Sequence, residues 1–153
     1  MIRIHETLLP DHVILGLTAR SRDEGVRQVA ESLRSDSRVV NWKEFLRALT
    51  GSNAGAKVNL QYGLAMPHVR TASVTKMIMA FGRLKEAVQE TDGPIQFLVL
   101  VGIPVAMDAD YLRLVGTLMR VFRSDKLRDK LRDAEKPAEI VEIFEKGETG
   151  LEG

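Results

Sequence analysis

Ile95 to Val101 (IQFLVLV) is nearly all apolar. A run of that length suits a central strand covered on both faces, the situation of strands inside α/β proteins. Such a strand obliges the rest of the chain to supply helices for two faces of one sheet, and signals for them occur at intervals. Ser21 with Glu24 forms a capping box that opens a helix, and Val26, Val29, Ala30 and Leu33 give it a buried stripe. Asn41 with Glu44 repeats the capping signal before Phe45, Leu46 and Leu49, with Gly51 as a plausible stop. A longer amphipathic helix is predicted from Asp110, with Leu112, Val115, Met119 and Phe122 on its inner face. Ser124 caps a segment carrying Leu127 and Leu131, and Pro137 opens a last helix through Ile140, Val141 and Phe144.

Between the helices lie further strands. Val13 to Leu17 is a short apolar run, and Met77 to Phe81 is another candidate, closed by Gly82. Val58, Leu60, Tyr62 and Leu64 alternate with polar residues and glycine, the pattern of a half-buried strand. Thr91-Asp92-Gly93-Pro94 reads as a turn, and Gly102, Pro104 and Met107 to Asp110 as a loop. Strands alternating with helices predict a three-layer α/β sandwich, a small mixed β-sheet with helices on both faces. A chain of 153 residues fits one such domain, assigned to residues 1–146, and Gly147 to Gly153 reads as a flexible C-terminal tail.

Composition removes several classes of function. A net charge of +1 offers no field to draw in nucleic acid or an anionic membrane. No apolar run approaches the roughly 20 residues of a membrane-spanning helix. The absence of cysteine excludes disulfides, thiol nucleophiles and cysteine-held zinc, and with no secretory signal it favours the cytoplasm. His5 and His12 lie near Glu6 and Asp11, but Pro10 interrupts any helix that would align them as metal ligands, so neither metal nor cofactor is expected. Arg113, Arg120, Arg123, Lys126, Arg128, Lys130 and Arg132 are interleaved with Asp125, Asp129 and Asp133, which reads as a solvated helical face. A minority reading has Arg113 and Arg120, two turns apart, facing an acidic partner.

Chemistry concentrates in Gly63-Leu64-Ala65-Met66-Pro67-His68-Val69-Arg70-Thr71. Pro67 cannot donate to a ladder and biases Met66 towards extended backbone, so the strand is expected to stop near Met66 and present His68 at its mouth. Imidazole is an available nucleophile near neutral pH, and Arg70, Thr71 and Ser73 can hold phosphate oxygens. A rim histidine bonded to a loop fits the same spacing.

The string Gly63 to Arg70, the run Ala80 to Glu86, the segment Gln96 to Pro104 and the pattern from Tyr111 to Phe144 together resemble one family. It is the fructose/mannitol-type (type 2) enzyme IIA domain of the sugar phosphotransferase system, with the free-standing nitrogen-regulatory IIA proteins nearest in length. The resemblance implies that His68 accepts a phosphoryl group from a phosphohistidine carrier protein, then passes it to a IIB domain or regulates target proteins by its phosphorylation state. It implies a phosphohistidine intermediate and no nucleic-acid partner. The chain departs from the pattern at two places. Ser52-Asn53 stands where the family has Arg-Glu, and Tyr111 where it often has a second histidine. Lys57, Arg70, Tyr111 and Thr71 are therefore the candidate supporting groups. Loss of one phosphoryl-facing arginine is expected to slow transfer roughly 30- to 1000-fold. A IIA-like regulatory binding module with weak or no phosphotransfer is the alternative.

Overall fold

A computed structural model of the protein describes residues 3–50, 62–106 and 108–150, with only the backbone at Asp108. The expected strand over 58–64, the helix stop at Gly51, and Ser52, Asn53 and Lys57 all lie outside these residues, apart from the strand's last positions. After a single helical turn, α1 (Ile4–Thr7), and a 3-10 turn at Pro10–His12, the order is β1 (Val13–Leu17), α2 (Arg22–Glu31), α3 (Trp42–Thr50), β2 (Leu64–Ala65), β3 (His68–Arg70), β4 (Ile78–Glu90), β5 (Gly93–Ile103), α4 (Asp108–Arg123), α5 (Asp125–Asp133) and α6 (Pro137–Thr149). The five strands form one mixed sheet in the order β1-β4-β5-β2, with β3 also on β5. β4 and β5 are an antiparallel hairpin turning at Thr91-Asp92, while β1 lies parallel to β4, and β2 and β3 lie parallel to β5.

β5 is the inner strand that its apolarity predicts. Phe97, Val99, Val101 and Ile103 join one buried cluster with α4, α5 and α6, whereas Leu98 and Leu100 join the other with α2 and α3. The first cluster centres on four phenylalanines, with Phe97 edge-on to Phe122 at 5.6 Å and Phe81 edge-on to Phe144 at 5.8 Å. Truncating any of these rings to alanine should cost about 3–5 kcal/mol. The caps form where the sequence places them: Ser21, Asn41 and Ser124 each accept from the backbone N–H three residues on.

Several expectations need correction. The strand does stop at Ala65, next to Met66, but pairing resumes at His68, which lies in β3 rather than at a strand mouth. Leu64 faces Phe97 and His68 faces Val101, the same offset on β5, so β2 and β3 are one line of chain interrupted at Met66-Pro67. Pro67 is tolerated because this line is the sheet's outermost among the described residues, and its carbonyl still accepts from Val101 N–H at 3.0 Å.

Gly82 does not close a strand, since β4 runs on to Glu90. A Cβ at Gly82 would lie 2.4 Å from Val29 Cγ2, so this glycine is a seat for α2 against the sheet. In the same way Gly102 and Ile103 belong to β5, and α4 begins at Asp108, two residues before the sequence suggested.

On α4, Leu112 is 68% exposed, and burial selects Leu114, Leu118, Val121 and Phe122. Both the 112-115-119 and 114-118-121 rows are apolar, so spacing alone could not choose between them. Finally, the C-terminal helix continues to Thr149, past the expected boundary at residue 146. Gly147 is buried inside it, where a Cβ would meet Val121 Cγ2 at 2.3 Å, so its lack of a side chain lets α6 approach α4. Residues 151–153 lie outside the description.

Candidate functional site

β3 brings His68 to the rim of the first cluster's face. Side chains two apart on a strand share a face, so His68 and Arg70 project to one side and Val69 to the other. Val69 packs against the α2–α3 cluster, which leaves His68 and Arg70 on the α4 side. The first turn of α4 supplies Tyr111, whose ring stacks on the imidazole with centroids 5.5 Å apart and planes 30° apart. His68 is half-buried, neither enclosed in the core nor freely projecting.

The orientation of the imidazole is set by its own backbone. Nδ1 lies 2.9 Å from the carbonyl oxygen of Met66. A carbonyl only accepts, so Nδ1 carries the proton and donates. The neutral ring therefore keeps its lone pair on Nε2, the nucleophilic nitrogen. A residue before proline is biased towards extended backbone, which suits the Met66 carbonyl to this contact.

Burial pushes the Tyr111 phenol above its ordinary pKa, with the Arg70 charge pulling the other way. The phenol thus remains a hydrogen-bond donor at neutral pH, and it lies within the field of the Arg70 cation. Among the other sequence candidates, Thr71 Oγ1 accepts from Ser73 N–H at 3.0 Å, so it serves the turn that follows β3. Ser73 is buried, 6% exposed. Lys57 lies outside the described residues.

The remaining histidines differ from His68. His5 is exposed. His12 is buried with its Nε2 2.8 Å from Asp36 Oδ2, and Arg38 grips the same carboxylate through Nε at 2.9 Å and Nη2 at 2.8 Å. Arg38 also donates to the Glu6 carbonyl at 2.9 Å, which ties the N-terminal segment to the loop before α3. Sequence reading missed this node; Asp36 and Arg38, two apart in a loop, were its only local signal. Among the described residues no group of three or more His, Cys, Asp or Glu could hold a metal ion. Nor is any described helix long and apolar enough to cross a membrane. The basic run on α5 is laced by Arg128–Asp125 and Arg132–Asp129 pairs, each at 2.6 Å and spaced i,i+3.

Both the sequence and the fold are similar to those of known proteins. The fructose-specific EIIA component of the phosphotransferase system of Haloferax volcanii is 28% identical over 102 residues, covering 65% of this chain and 66% of that protein. The chain spans only 23% of two longer relatives, EIIABC components from Bacillus subtilis and Escherichia coli. Its fold matches the nitrogen regulatory protein IIA-Ntr of Neisseria meningitidis with a TM-score of 0.81 at 22% identity, covering 92% of this chain and 98% of that one. It also matches Escherichia coli IIA mannitol in its complex with phosphorylated IIB mannitol, with a TM-score of 0.71 at 17% identity over 88% and 94% of the two chains. The sequence model of one family matches residues 6–147, nearly the whole chain, and the protein belongs to that family: the phosphoenolpyruvate-dependent sugar phosphotransferase system, EIIA 2.

Proposed function

We propose that His68 is the phosphoryl acceptor of this EIIA-type phosphocarrier and that the group is carried on Nε2. The observation that carries the reading is the Nδ1–H bond to the Met66 carbonyl, which commits the lone pair to Nε2 on a half-exposed ring. In the transfer, the Nε2 lone pair attacks the phosphorus of a donor phosphohistidine. The donor's P–N bond breaks, and its electron pair returns to the donor imidazole. The acceptor ring keeps its Nδ1 proton and gains positive character, which the carbonyl dipole stabilises. Arg70 and the Tyr111 hydroxyl lie on the same side of the sheet and are suited to receive the phosphoryl oxygens, since such transfers depend on positioned cations and donors.

The donor in this reading is a phosphohistidine carrier protein. The onward partner is a IIB domain or a regulated target protein, and the setting is the cytoplasm. Incubation with phosphoenolpyruvate, enzyme I and the carrier protein should add one acid-labile phosphoryl group per chain, lost in His68→Ala. Nitrogen-15 NMR of the phosphorylated ring should show the Nε2 adduct. Phosphorylation that persists in His68→Ala overturns the assignment. A wild-type chain that accepts none leaves the regulatory binding module as the function.

A further inference from the structure

α4 also borders a cavity that the chemistry at His68 leaves unused. The space, about 310 Å³, opens between α1, the first half of α4 and the end of α6, in the size range of a small-metabolite pocket. Ile4, Met77 and Leu114 form its apolar wall, and all three are buried. Arg3, Arg113 and Arg120 border it against two carboxylates, Asp110 and Glu148, so the lining carries a positive charge in excess. The pairing shows which cation is left over. Glu148 is occupied: Oε2 accepts from Ile4 N–H at 2.9 Å, and Oε1 is enclosed 3.2 Å from Arg3 Nε. Asp110 faces Arg113 at 3.8 Å, a loose contact that leaves the Arg113 side chain 59% exposed. Arg120 is exposed and has no carboxylate partner among the described residues. It donates through Nε to the Gly147 carbonyl at 2.9 Å and reaches the Thr117 hydroxyl through Nη2 at 3.5 Å. Its Nη1, with two protons to donate, is left for another acceptor.

The helix surface beside these cations is open. Arg113 and Arg120 are two turns apart and share a face of α4, with Gly116 between them, three residues from one and four from the other. A Cβ at Gly116 would meet nothing within 4 Å, so no side chain fills the gap. A cationic ligand would add to the surplus charge. Phosphate would bring more negative charge than the surplus balances, close to Asp110, and would leave the apolar wall uncovered. A monoanion with an apolar body answers both walls. From this arrangement we infer that the cavity binds a small monocarboxylate with an apolar tail, its carboxylate held by Arg120 and Arg113 over Gly116 and its tail against Ile4, Met77 and Leu114. The binding is independent of the phosphocarrier function proposed for His68.

The test is a titration of the full ¹⁵N-labelled chain with 4-methylpentanoate at about pH 7, followed by ¹H–¹⁵N correlation spectra. Three control probes isolate the contributions: 4-methylpentanamide lacks the charge, acetate lacks the tail, and inorganic phosphate presents an anion alone. The carboxylate should give saturable shifts at Arg113, Gly116, Thr117 and Arg120, and each control should bind about tenfold or more weakly. Arg120→Met should weaken 4-methylpentanoate by about tenfold and leave the amide unchanged. Gly116→Leu introduces a better helix former, so the chain stays folded, and its side chain fills the gap between the arginines and should abolish binding. Absence of saturable shifts, amide or phosphate binding as tight as the carboxylate, shifts centred on His68 and Arg70, or indifference to both variants overturns the proposal.

Discussion

His12 and His68 are each fixed by one short hydrogen bond from a ring nitrogen, 2.8 Å to Asp36 in one case and 2.9 Å to the Met66 carbonyl in the other. What separates them is the acceptor and the surroundings. Around His12 the acceptor is a carboxylate shared with Arg38, the side chain is 7% exposed, and Nδ1 is enclosed without a partner. No other protein can bring a phosphorus atom to that ring. Around His68 the acceptor is a neutral carbonyl, the ring is half-exposed, and an aromatic face rather than a charge supports it. One region uses histidine to hold the chain together, and the other leaves the proposed phosphoryl acceptor within reach of solvent.

The largest expected effect separates the two regions outright. His68→Ala should abolish phosphoryl acceptance while changing unfolding free energy by about 1 kcal/mol or less, because a rim side chain gives up little packing. Urea unfolding and a phosphorylation assay on the same preparation check both halves. Asp36→Asn should do the converse: breaking a buried ion pair costs about 3–5 kcal/mol, with the stoichiometry of phosphorylation unchanged wherever the variant is folded.

That cost should depend on pH. The hydrogen bond from Arg38 is the main force holding the Asp36 carboxyl well below the usual carboxylate range, against the opposing effect of burial. A depressed carboxyl contributes its stability above the unfolded-state value of about 3.9 and loses it as pH falls towards the folded one. The gap between wild type and Asp36→Asn should therefore be full at pH 7 and narrow below about pH 4. A gap constant from pH 7 to pH 3 would show that the ionised pair is not its source. His12→Leu, which leaves Asp36 with Arg38 alone, should cost less, about 1–3 kcal/mol, again with phosphorylation intact.

The two regions were also unequally legible in the sequence. β5 announced itself by continuous apolarity, and the helices after Ser21, Asn41, Ser124 and Lys136 by local caps or an opening proline, because the physics of those signals acts within a few residues. His68 was visible because its neighbours in sequence, Pro67 and Arg70, are also its neighbours in the site. The Met66 carbonyl is equally local, but a backbone oxygen has no letter in the sequence. Tyr111 could be singled out only through a family resemblance, being 43 positions away and meeting His68 across the face of the sheet. The His12–Asp36–Arg38 node and the cavity beside α4 depend on packing between distant segments, which no periodicity encodes. Gly82 and Gly147 misled for a related reason: a glycine needed for close approach of a helix looks like a stop when its partner is unknown.

The smallest expected effect tests what surrounds the reactive ring. Tyr111→Phe keeps the aromatic stack on His68 and removes only the hydroxyl. A neutral hydrogen bond is worth about 0.5–1.5 kcal/mol, so transfer should slow about 3- to 10-fold if that hydroxyl receives a phosphoryl oxygen. Because burial raises the phenol's pKa, the wild-type hydroxyl stays protonated through the neutral range, and the slowing should be the same at pH 6.5 and pH 8. Tyr111→Ala should slow transfer further by freeing the imidazole from its stack, and Tyr111→His, which restores the residue the family often carries here, should exceed wild type. Time courses on the three variants with one donor decide the matter. Equal rates for wild type and Tyr111→Phe would reduce Tyr111 to a packing surface and leave Arg70 as the described group that faces the phosphoryl charge. The contrast with His12 would then sharpen, since the ring at His68 would owe its readiness to the Met66 carbonyl and to solvent access alone.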